Sequence, residues 1–334
     1  MSDHGAFLTG IAGPRLTRDE QSFLRDAAPW GFMLYQRNVE DPEQLAWLTA
    51  ELRDAVGWEA PIFIDPENGQ GERLGPPHWR DWLPPLEQVQ LNPRQAVRSM
   101  YLRYRLIADE LQAMGIDGNC APVVDLAHAD THPDQKNRCY GDDVVRVVDI
   151  AGAVAEALVD GGVIPLAKHM PGQGRAMVDP HEELPRISTR EKALRVSDFL
   201  AFQAVSGLPI AMATHALFED IDPENPTPFS PDVIARIREE IGFAGMLMTD
   251  DISLPALSGP LETRVQTALA SGCDMILHGS GDLGEMQAVA TAAGSMSVPA
   301  KMRAEDVLSW RRPPEPVDIQ ALEAEFQSLM TGQV

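Results

Sequence analysis

The chain contains too few cysteines for a disulfide-based scaffold. Its 334 residues include three, Cys120, Cys139 and Cys273, which is an odd number without the spacing of a metal site. This usage fits a reducing compartment and argues against the class of small secreted proteins held together by disulfides. We therefore predict buried, unpaired thiols.

Positive charge and long apolar runs are also scarce. Twenty-seven basic residues stand against 50 acidic ones, which gives a net charge of -23. Because such a surface repels nucleic-acid phosphates and anionic membranes, we expect neither as a partner. The N-terminus lacks the basic start and apolar stretch of a signal peptide, and no later run reaches membrane-spanning length. The sequence indicates a soluble cytoplasmic protein.

Short apolar runs alternate with helical patterns along the chain. Segments such as 41–56, 146–161, 231–242 and 260–272 carry apolar residues at three- and four-residue spacing. The apolar runs predict buried parallel strands at 6–11, 31–35, 61–65, 120–125, 163–169, 209–215, 245–250 and 274–279. Eight such units in about 300 residues predict an α/β fold, a closed (β/α)8 TIM barrel. An open doubly wound sheet is the alternative, but no Gly-x-Gly-x-x-Gly follows the first strand.

We expect a single domain with a C-terminal appendage. The barrel would occupy residues 1–300, and residues 301–334 would form an extension. A proline-rich connector at 311–316 leads into a helical pattern whose apolar face should pack on the barrel. The residues of that face are Ile319, Leu322, Phe326 and Leu329. We expect the protein to be a monomer.

Ionisable side chains follow several predicted strands. They are Asp65, Asp125, Lys168 with His169, His215, and Asp250 with Asp251. Any one carboxylate in such a place can serve merely as the cap of the next helix. Five strand ends that all carry ionisable groups favour convergence on one barrel mouth, where active sites of this fold lie.

One loop carries a distinctive motif. The stretch "KHMPGQG" (168–174), followed by "VDPH" (178–181), resembles the Lys-His-[Phe/Ile]-Pro-Gly-His-Gly and Asp-x-His signature of glycoside hydrolase family 3 β-N-acetylglucosaminidases, the NagZ-type β-hexosaminidases. Further segments resemble the same family in the same order: "NCAPVVD" (119–125), "NRCYGDD" (137–143) and "GFAGMLMTDDISL" (242–254). The resemblance covers residues from about 6 to 280.

The resemblance implies a retaining glycosidase that removes terminal β-linked N-acetylglucosamine. Position by position, it makes Asp250 the nucleophile, His181 the general acid/base and Asp179 the partner of His181. It also implies a set of sugar-binding residues: Asp65, Arg73, Arg138, Lys168 and His169. The implied substrate is a small carbohydrate, an N-acetylglucosamine-containing anhydromuropeptide of cell-wall recycling. No metal or organic cofactor is expected.

The proposed roles agree with the chemistry of retaining hydrolysis. One carboxylate must attack the anomeric carbon, and a second group must protonate the leaving oxygen and then activate water. A histidine can be that group because its ordinary pKa lies near neutrality. Pro180 favours an extended Asp179, so the side chains of residues 179 and 181 point to the same side. Gly172 and Gly174 allow the loop to turn sharply and to move.

The chain departs from the family pattern at three positions. Asn68 stands where glycine is expected, Gln70 where arginine is expected, and Gln173 where a second histidine is expected. The loss of the arginine removes a fixed charge, and glutamine cannot titrate. Because none of the three is the proposed nucleophile or acid/base, we expect activity to survive with a change in substrate preference or loop closure.

Several alternatives stay open at this point. The sequence alone does not decide whether Asp250 or Asp251 faces the pocket, although the family match favours Asp250. His128 and His132 have the four-residue spacing of a helical zinc pair, but Pro133 and the preceding strand disfavour a helix there. A glycoside phosphorylase and a non-catalytic sugar-binding protein are the rival functions.

Overall fold

Eight parallel strands close into a barrel, as the sequence predicted. The computed structural model describes residues 4–67 and 73–331. The barrel strands are β1 (Gly5–Thr9), β2 (Pro29–Leu34), β3 (Ile62–Ile64), β4 (Gly118–Asn119), β5 (Ile164–Met170), β7 (Ile210–Ala213), β9 (Met246–Asp251) and β10 (Met275–His278). β6 (Arg186–Ile187) and β8 (Leu217–Phe218) form a separate two-stranded parallel sheet. Around the barrel the order is β1, β10, β9, β7, β5, β4, β3, β2.

Helices surround the barrel and carry the expected end signals. Thr17 forms a capping box with Glu20 at the first helix, and Gly57 ends the second in the left-handed conformation. The helices are α1 (Arg18–Ala27), α2 (Pro42–Val56), α3 (Pro85–Leu91), α4 (Ala96–Ala113), α5 (Pro133–Arg138), α6 (Val144–Asp160), α7 (Glu191–Arg195), α8 (Asp198–Ala204), α9 (Pro231–Ala235), α10 (Leu261–Ser271), α11 (Leu283–Ala293), α12 (Val298–Ser309) and α13 (Ile319–Thr331). Short 3-10 turns lie at Gln36–Asn38 and Thr227–Phe229, and α9 continues into a π-helical turn, Arg236–Glu240.

Apolar side chains fill the barrel interior and the layer between strands and helices. Inside the barrel, Leu8, Phe63, Leu166 and Met248 are completely buried. A larger cluster joins the outward faces of the strands to the helices. This packing fixes the strand ends in space, and therefore also the side chains that follow them.

The prediction of a strand at 120–125 was wrong. The ladder covers Gly118 and Asn119, and the following segment pairs irregularly with β5. Its carbonyls at Ala121 and Pro122 accept hydrogen bonds from Leu166 and Lys168, with N to O distances of 2.9 and 3.1 Å. Pro122 has no N–H to donate, so a regular ladder cannot continue through it.

The C-terminal helix packs against α4. Leu322, Phe326 and Leu329 are buried, and the Phe326 ring meets the edge of Trp82 with a centroid distance of 5.3 Å. Ile319 is partly buried in the same cluster. These contacts agree with the predicted apolar face. The domain boundary at residue 300 falls within α12 and stays a prediction.

Three smaller predictions concern thiols, the histidine pair and membrane spans. All three cysteines are buried and unpaired. His128 and His132 both precede α5, so they do not share a helix. Across the described ranges, no helix is long and apolar enough to cross a membrane.

Candidate active site

Of the seven ionisable side chains at the predicted strand ends, four line one cavity at the carboxyl end of the barrel: Asp65, His169, Asp250 and Asp251. Of the predicted site residues, the cavity wall contains Asp65, Arg73, Arg138, His169, His181 and Asp250, with Asp251 beside them. Lys168 and Asp179 are absent from that wall, but each is bonded to a residue of it. The structure thus brings all eight predicted residues into one site.

A buried cluster of charges forms one side of the cavity. The ammonium of Lys168 lies 2.7 Å from both carboxylate oxygens of Asp65 and 3.1 Å from Glu67. The Arg138 guanidinium donates through Nε to Glu67, and its NH2 lies 3.7 Å from Asp65. Burial raises the pKa of Asp65, but the cations of Lys168, Arg138 and Arg73 outweigh it and lower that pKa. The Asp65 carboxyl is therefore ionised at neutral pH.

His169 is oriented by a second carboxylate. Its Nδ1 lies 2.7 Å from Oδ2 of Asp125, and both side chains are almost completely buried. The backbone N–H of Gln173 donates to the other oxygen of Asp125 at 2.6 Å. With Nδ1 occupied in this way, Nε2 is the ring nitrogen left for a ligand. Asp125 is thus explained as the residue that positions His169.

The structure distinguishes the two adjacent aspartates at the end of β9. One carboxylate oxygen of Asp251 accepts from the backbone and hydroxyl of Ser253 and from the N–H of Gly279, at 3.0, 2.6 and 3.0 Å. Among the described residues, the Asp250 carboxylate accepts one hydrogen bond, from the N–H of Asp251 at 2.7 Å. Both line the cavity, but Asp251 is used to hold the loops together, whereas Asp250 is available for a ligand.

Asp250 is ionised although it is partly buried. Burial raises the pKa of its carboxyl, but three imidazoles and one backbone N–H outweigh this effect and lower the pKa to about 2. These groups belong to His215, His169, His181 and Asp251. Burial lowers the pKa of His215 itself, so its ring is neutral at neutral pH and its charge acts on Asp250 only at acidic pH. In the described part of the chain, no lysine or arginine forms an ion pair with Asp250.

His181 and Asp179 form a pair on the loop after β5. The Nδ1 atom of His181 lies 2.8 Å from Oδ1 of Asp179, which also accepts the backbone N–H of His181 at 3.0 Å. Burial raises the pKa of Asp179, but the hydrogen bonds from His181 lower it. The His181 side chain is 48% exposed, so its Nε2 can meet a ligand that enters the cavity.

Comparisons with known proteins agree with this geometry. The sequence profile of the glycosyl hydrolase family 3 N-terminal domain matches residues 5–307. The chain belongs to glycoside hydrolase family 3. The family resemblance seen in the sequence is thereby confirmed, and the protein is a glycoside hydrolase.

Two relatives of this family-3 chain are named beta-hexosaminidase. A beta-hexosaminidase of Pseudomonas aeruginosa is 31% identical over 275 residues, which is 81% of both chains. A beta-hexosaminidase of Alkalilimnicola ehrlichii is 32% identical over 285 residues, 82% of this chain and 80% of the other. The structure of NagZ from Neisseria gonorrhoeae, in complex with N-trifluoroacetyl-D-glucosamine, matches with a TM-score of 0.84 and 25% sequence identity. The match covers 99% of this chain and 97% of the Neisseria chain.

The family-3 loop is fixed at its base. Gly172 has a φ of 138°, and a Cβ at Gly174 would lie 1.9 Å from the carbonyl oxygen of Leu126. Both positions therefore require glycine for steric reasons. Arg175 donates through Nε to the buried Asp198 at 2.9 Å, which ties the loop to α8.

The departure at Gln173 has a structural explanation. Its side-chain oxygen accepts from Thr214 at 2.6 Å, and its amide donates to Gln135 at 3.0 Å. All three side chains are buried, so Gln173 joins the loop base to the end of β7 and to α5 without a titratable group. The departures at Asn68 and Gln70 lie outside the described residues.

Sequence reasoning missed part of the cavity wall. Tyr35 lies between two guanidiniums, with Arg37 at 4.7 Å and Arg73 at 5.6 Å from its ring centroid. The remaining missed residues of the wall are Met33, Leu34, Cys120, Met212, Leu254 and Leu277. Apolar residues in predicted strands look alike whether they face the core or a ligand, so no signal singled them out. Within residues 4–67 and 73–331, no group of three His, Cys, Asp or Glu side chains could hold a metal ion.

Proposed function

We propose that this family-3 hydrolase is a retaining β-N-acetylhexosaminidase that removes terminal β-linked N-acetylglucosamine. The observation that carries the proposal is the pairing, in one cavity, of an ionised, partly buried carboxylate, Asp250, with the imidazole of His181. The names of the relatives and the glucosamine derivative bound to the Neisseria protein support the sugar.

In the first step, an oxygen of Asp250 attacks the anomeric carbon while the bond to the leaving oxygen breaks. His181, protonated on Nε2, transfers that proton to the leaving oxygen. Asp179 accepts a hydrogen bond from Nδ1, which fixes the tautomer and stabilises the imidazolium form. The product of this step is a covalent glycosyl ester of Asp250 and a free alcohol.

In the second step, Nε2 of the now neutral His181 takes a proton from water. The water oxygen attacks the anomeric carbon, and the ester bond to Asp250 breaks. The sugar leaves with its original anomeric configuration, and both side chains return to their starting states. No other proton carrier is needed.

The sugar itself would bind to the charged cluster. On the cavity wall, Arg138 is a donor and Asp65 an acceptor, and Lys168 holds Asp65 from behind the wall; His169 also lines the cavity, and its bond to Asp125 leaves Nε2 for a ligand. Arrays of charged donors and acceptors suit hydroxyl groups, because charge-assisted hydrogen bonds are short and directional. We assign the natural substrate to peptidoglycan-derived muropeptides of cell-wall recycling on the strength of the family resemblance.

The proposal is tested by hydrolysis of 4-nitrophenyl N-acetyl-β-D-glucosaminide with the corresponding glucoside beside it. Wild type should cleave the acetamido substrate, and Asp250→Ala should lower kcat by roughly 10⁴-fold or more because no ester can form. His181→Ala should lower kcat less for this substrate than for a natural disaccharide, because 4-nitrophenolate leaves without needing protonation. Asp306→Ala, which removes an exposed carboxylate of α12, should match wild type.

Product analysis in phosphate buffer separates the rivals. Hydrolysis leaves free N-acetylglucosamine, whereas phosphorolysis leaves its 1-phosphate. If wild type binds N-acetylglucosamine but cleaves neither substrate, the protein is a sugar-binding protein and the proposed function is wrong.

A further inference from the structure

A buried arginine of α4 makes unusual contacts. Arg103 is completely buried, and in the described ranges no carboxylate lies within ion-pair distance of it. Arginine is rarely buried in this way because its desolvation is costly. The packing of a helix on a barrel does not require a charge at this position, so its contacts need another explanation.

The hydrogen bonds of Arg103 lead towards the sugar-binding cluster. Its NH2 donates to the backbone carbonyl of Glu67 at 2.6 Å. Its NH1 donates to the carbonyl of Leu83 at 2.7 Å and to Oε1 of Gln88 at 2.9 Å. The Trp82 ring lies 5.3 Å from the guanidinium carbon. These contacts fix the position of the guanidinium, and one of its two terminal nitrogens donates to the Glu67 carbonyl.

Glu67 needs such support. The β3 ladder ends at Ile64, so Glu67 lies three residues beyond the last strand residue. Its side chain is 4% exposed and one carboxylate oxygen accepts from both Arg138 and Lys168. A shift of this short segment would therefore move both cations of the cluster together.

We propose that Arg103 is a positioning residue for sugar binding, because it fixes the backbone of Glu67 and, through the Glu67 carboxylate, the directions of Arg138 and Lys168. Arg103 itself does not line the cavity. Its role goes beyond the proposed catalytic chemistry but rests on the proposed function for the identity of the ligand.

The chain offers a matched control on the same helix. Arg105 is also buried, 3% exposed, but its NH2 donates to the carbonyl of Glu315 in the C-terminal connector at 2.8 Å. Arg103→Met and Arg105→Met each remove one buried guanidinium from α4. The two variants should lose comparable stability, whereas a change in sugar binding is expected for Arg103→Met alone.

The first measurement is the Kd of N-acetylglucosamine, determined by calorimetry in an Asp250→Asn background so that no turnover interferes. We expect Arg103→Met to weaken binding about tenfold or more, and Arg105→Met to stay within about twofold. With catalytically intact chains, KM should rise for Arg103→Met with kcat nearly unchanged, as expected for lost uniform binding. Arg103→Lys, which can still donate to the Glu67 carbonyl, should recover part of the affinity.

Equal Kd values for the two methionine variants would overturn the proposal. If Arg103→Met does not fold, Arg103→Lys and Glu67→Gln provide the test, and unchanged sugar affinity in both would also overturn it. If wild type binds N-acetylglucosamine without cleaving it, the proposed function fails while the binding comparison still tests Arg103.

Discussion

At the residue scale, the two halves of the site differ in how their carboxylates are compensated. Asp65 and Glu67 have permanent cations as partners, Lys168 and Arg138. Asp250 has imidazoles and a backbone N–H instead. The first arrangement suits a rigid binding surface, and the second suits a carboxylate that must give up its charge when it forms an ester.

The Asp65 cluster predicts a combined loss of binding and stability. Asp65→Asn leaves the Lys168 ammonium buried with one carboxylate fewer, so the free energy of unfolding should fall by about 3 kcal/mol. KM should rise at least about tenfold because a sugar acceptor is lost. Urea unfolding and steady-state kinetics measure the two effects.

An exposed ion pair is the control for this prediction. Glu325 pairs with Arg98 at 2.7 Å, and both side chains are more than 40% exposed. Glu325→Gln should lower the free energy of unfolding by less than about 1 kcal/mol and leave KM unchanged. If Asp65→Asn lowers the free energy of unfolding as little as the control does, the role of the buried cluster is contradicted.

At the level of single residues, the sequence predicted which charged side chains lie in the site but not most of the groups that they contact. Asp179 and His181 are paired as predicted, but the expected extended segment was wrong: residues 180–182 form a turn, in which the N–H groups of Glu182 and Glu183 donate to the Asp179 carbonyl. The choice between Asp250 and Asp251 could not be derived, because it depends in part on the N–H of Gly279, which lies 28 residues further along the chain. Arg103 gave no signal, since an arginine in a helical pattern is ordinarily exposed.

At the element scale, the loop after β5 has a fixed base and an exposed acid/base. Gly174→Ala should lower both stability and kcat, because the new Cβ would lie 1.9 Å from the Leu126 carbonyl oxygen and the loop base must shift. Gly152→Ala in α6 is the control, as no atom lies within 4 Å of its added Cβ. That variant should be neutral or more stable by up to about 1 kcal/mol. Thermal unfolding and kcat should separate the two variants.

The tie between this loop and α8 should depend on pH. Burial raises the pKa of Asp198, but the nearby imidazole of His128, 3.8 Å away, and hydrogen bonds from Ser197 and Arg175 lower it below its ordinary value. A lowered folded-state pKa gives stability that is fully present above the unfolded pKa and is lost as pH falls through the folded pKa. The stability difference between wild type and Asp198→Asn should thus be constant above about pH 5 and shrink below about pH 4.

Urea unfolding of both proteins across this range checks the prediction. A difference that stays constant down to about pH 3 would mean that the charge of Asp198 contributes no stability.

Element boundaries were predictable where a hydrophobic pattern was long enough. The strand at β5 and the helices α2, α6 and α10 match their patterns closely. The two-residue strands β6 and β8 could not be predicted, because two residues cannot show alternation. β4 was misplaced because apolar composition does not reveal the hydrogen bonds that Pro122 cannot make.

At the scale of the whole molecule, the net charge of -23 predicts a dependence of stability on salt. Like charges repel one another in the compact state, and salt screens this repulsion. Raising NaCl from about 0.01 M to about 0.15 M shortens the Debye length from about 30 to about 8 Å. Tm should therefore rise by several degrees, as measured by calorimetry. Sucrose at equal osmolality is the control, because it is excluded from the protein surface but does not screen charge. A Tm that falls as NaCl is added would contradict the prediction.

The absence of a lysine or arginine partner for Asp250 among the described residues has a consequence for inhibitor design. A sugar analogue with a ring nitrogen carries a positive charge when it is protonated, and it would place that charge beside a carboxylate with no competing salt bridge. Such a compound should bind more tightly than its uncharged carbocyclic isostere. The advantage should disappear in Asp250→Asn, where the amide offers the cation no opposite charge.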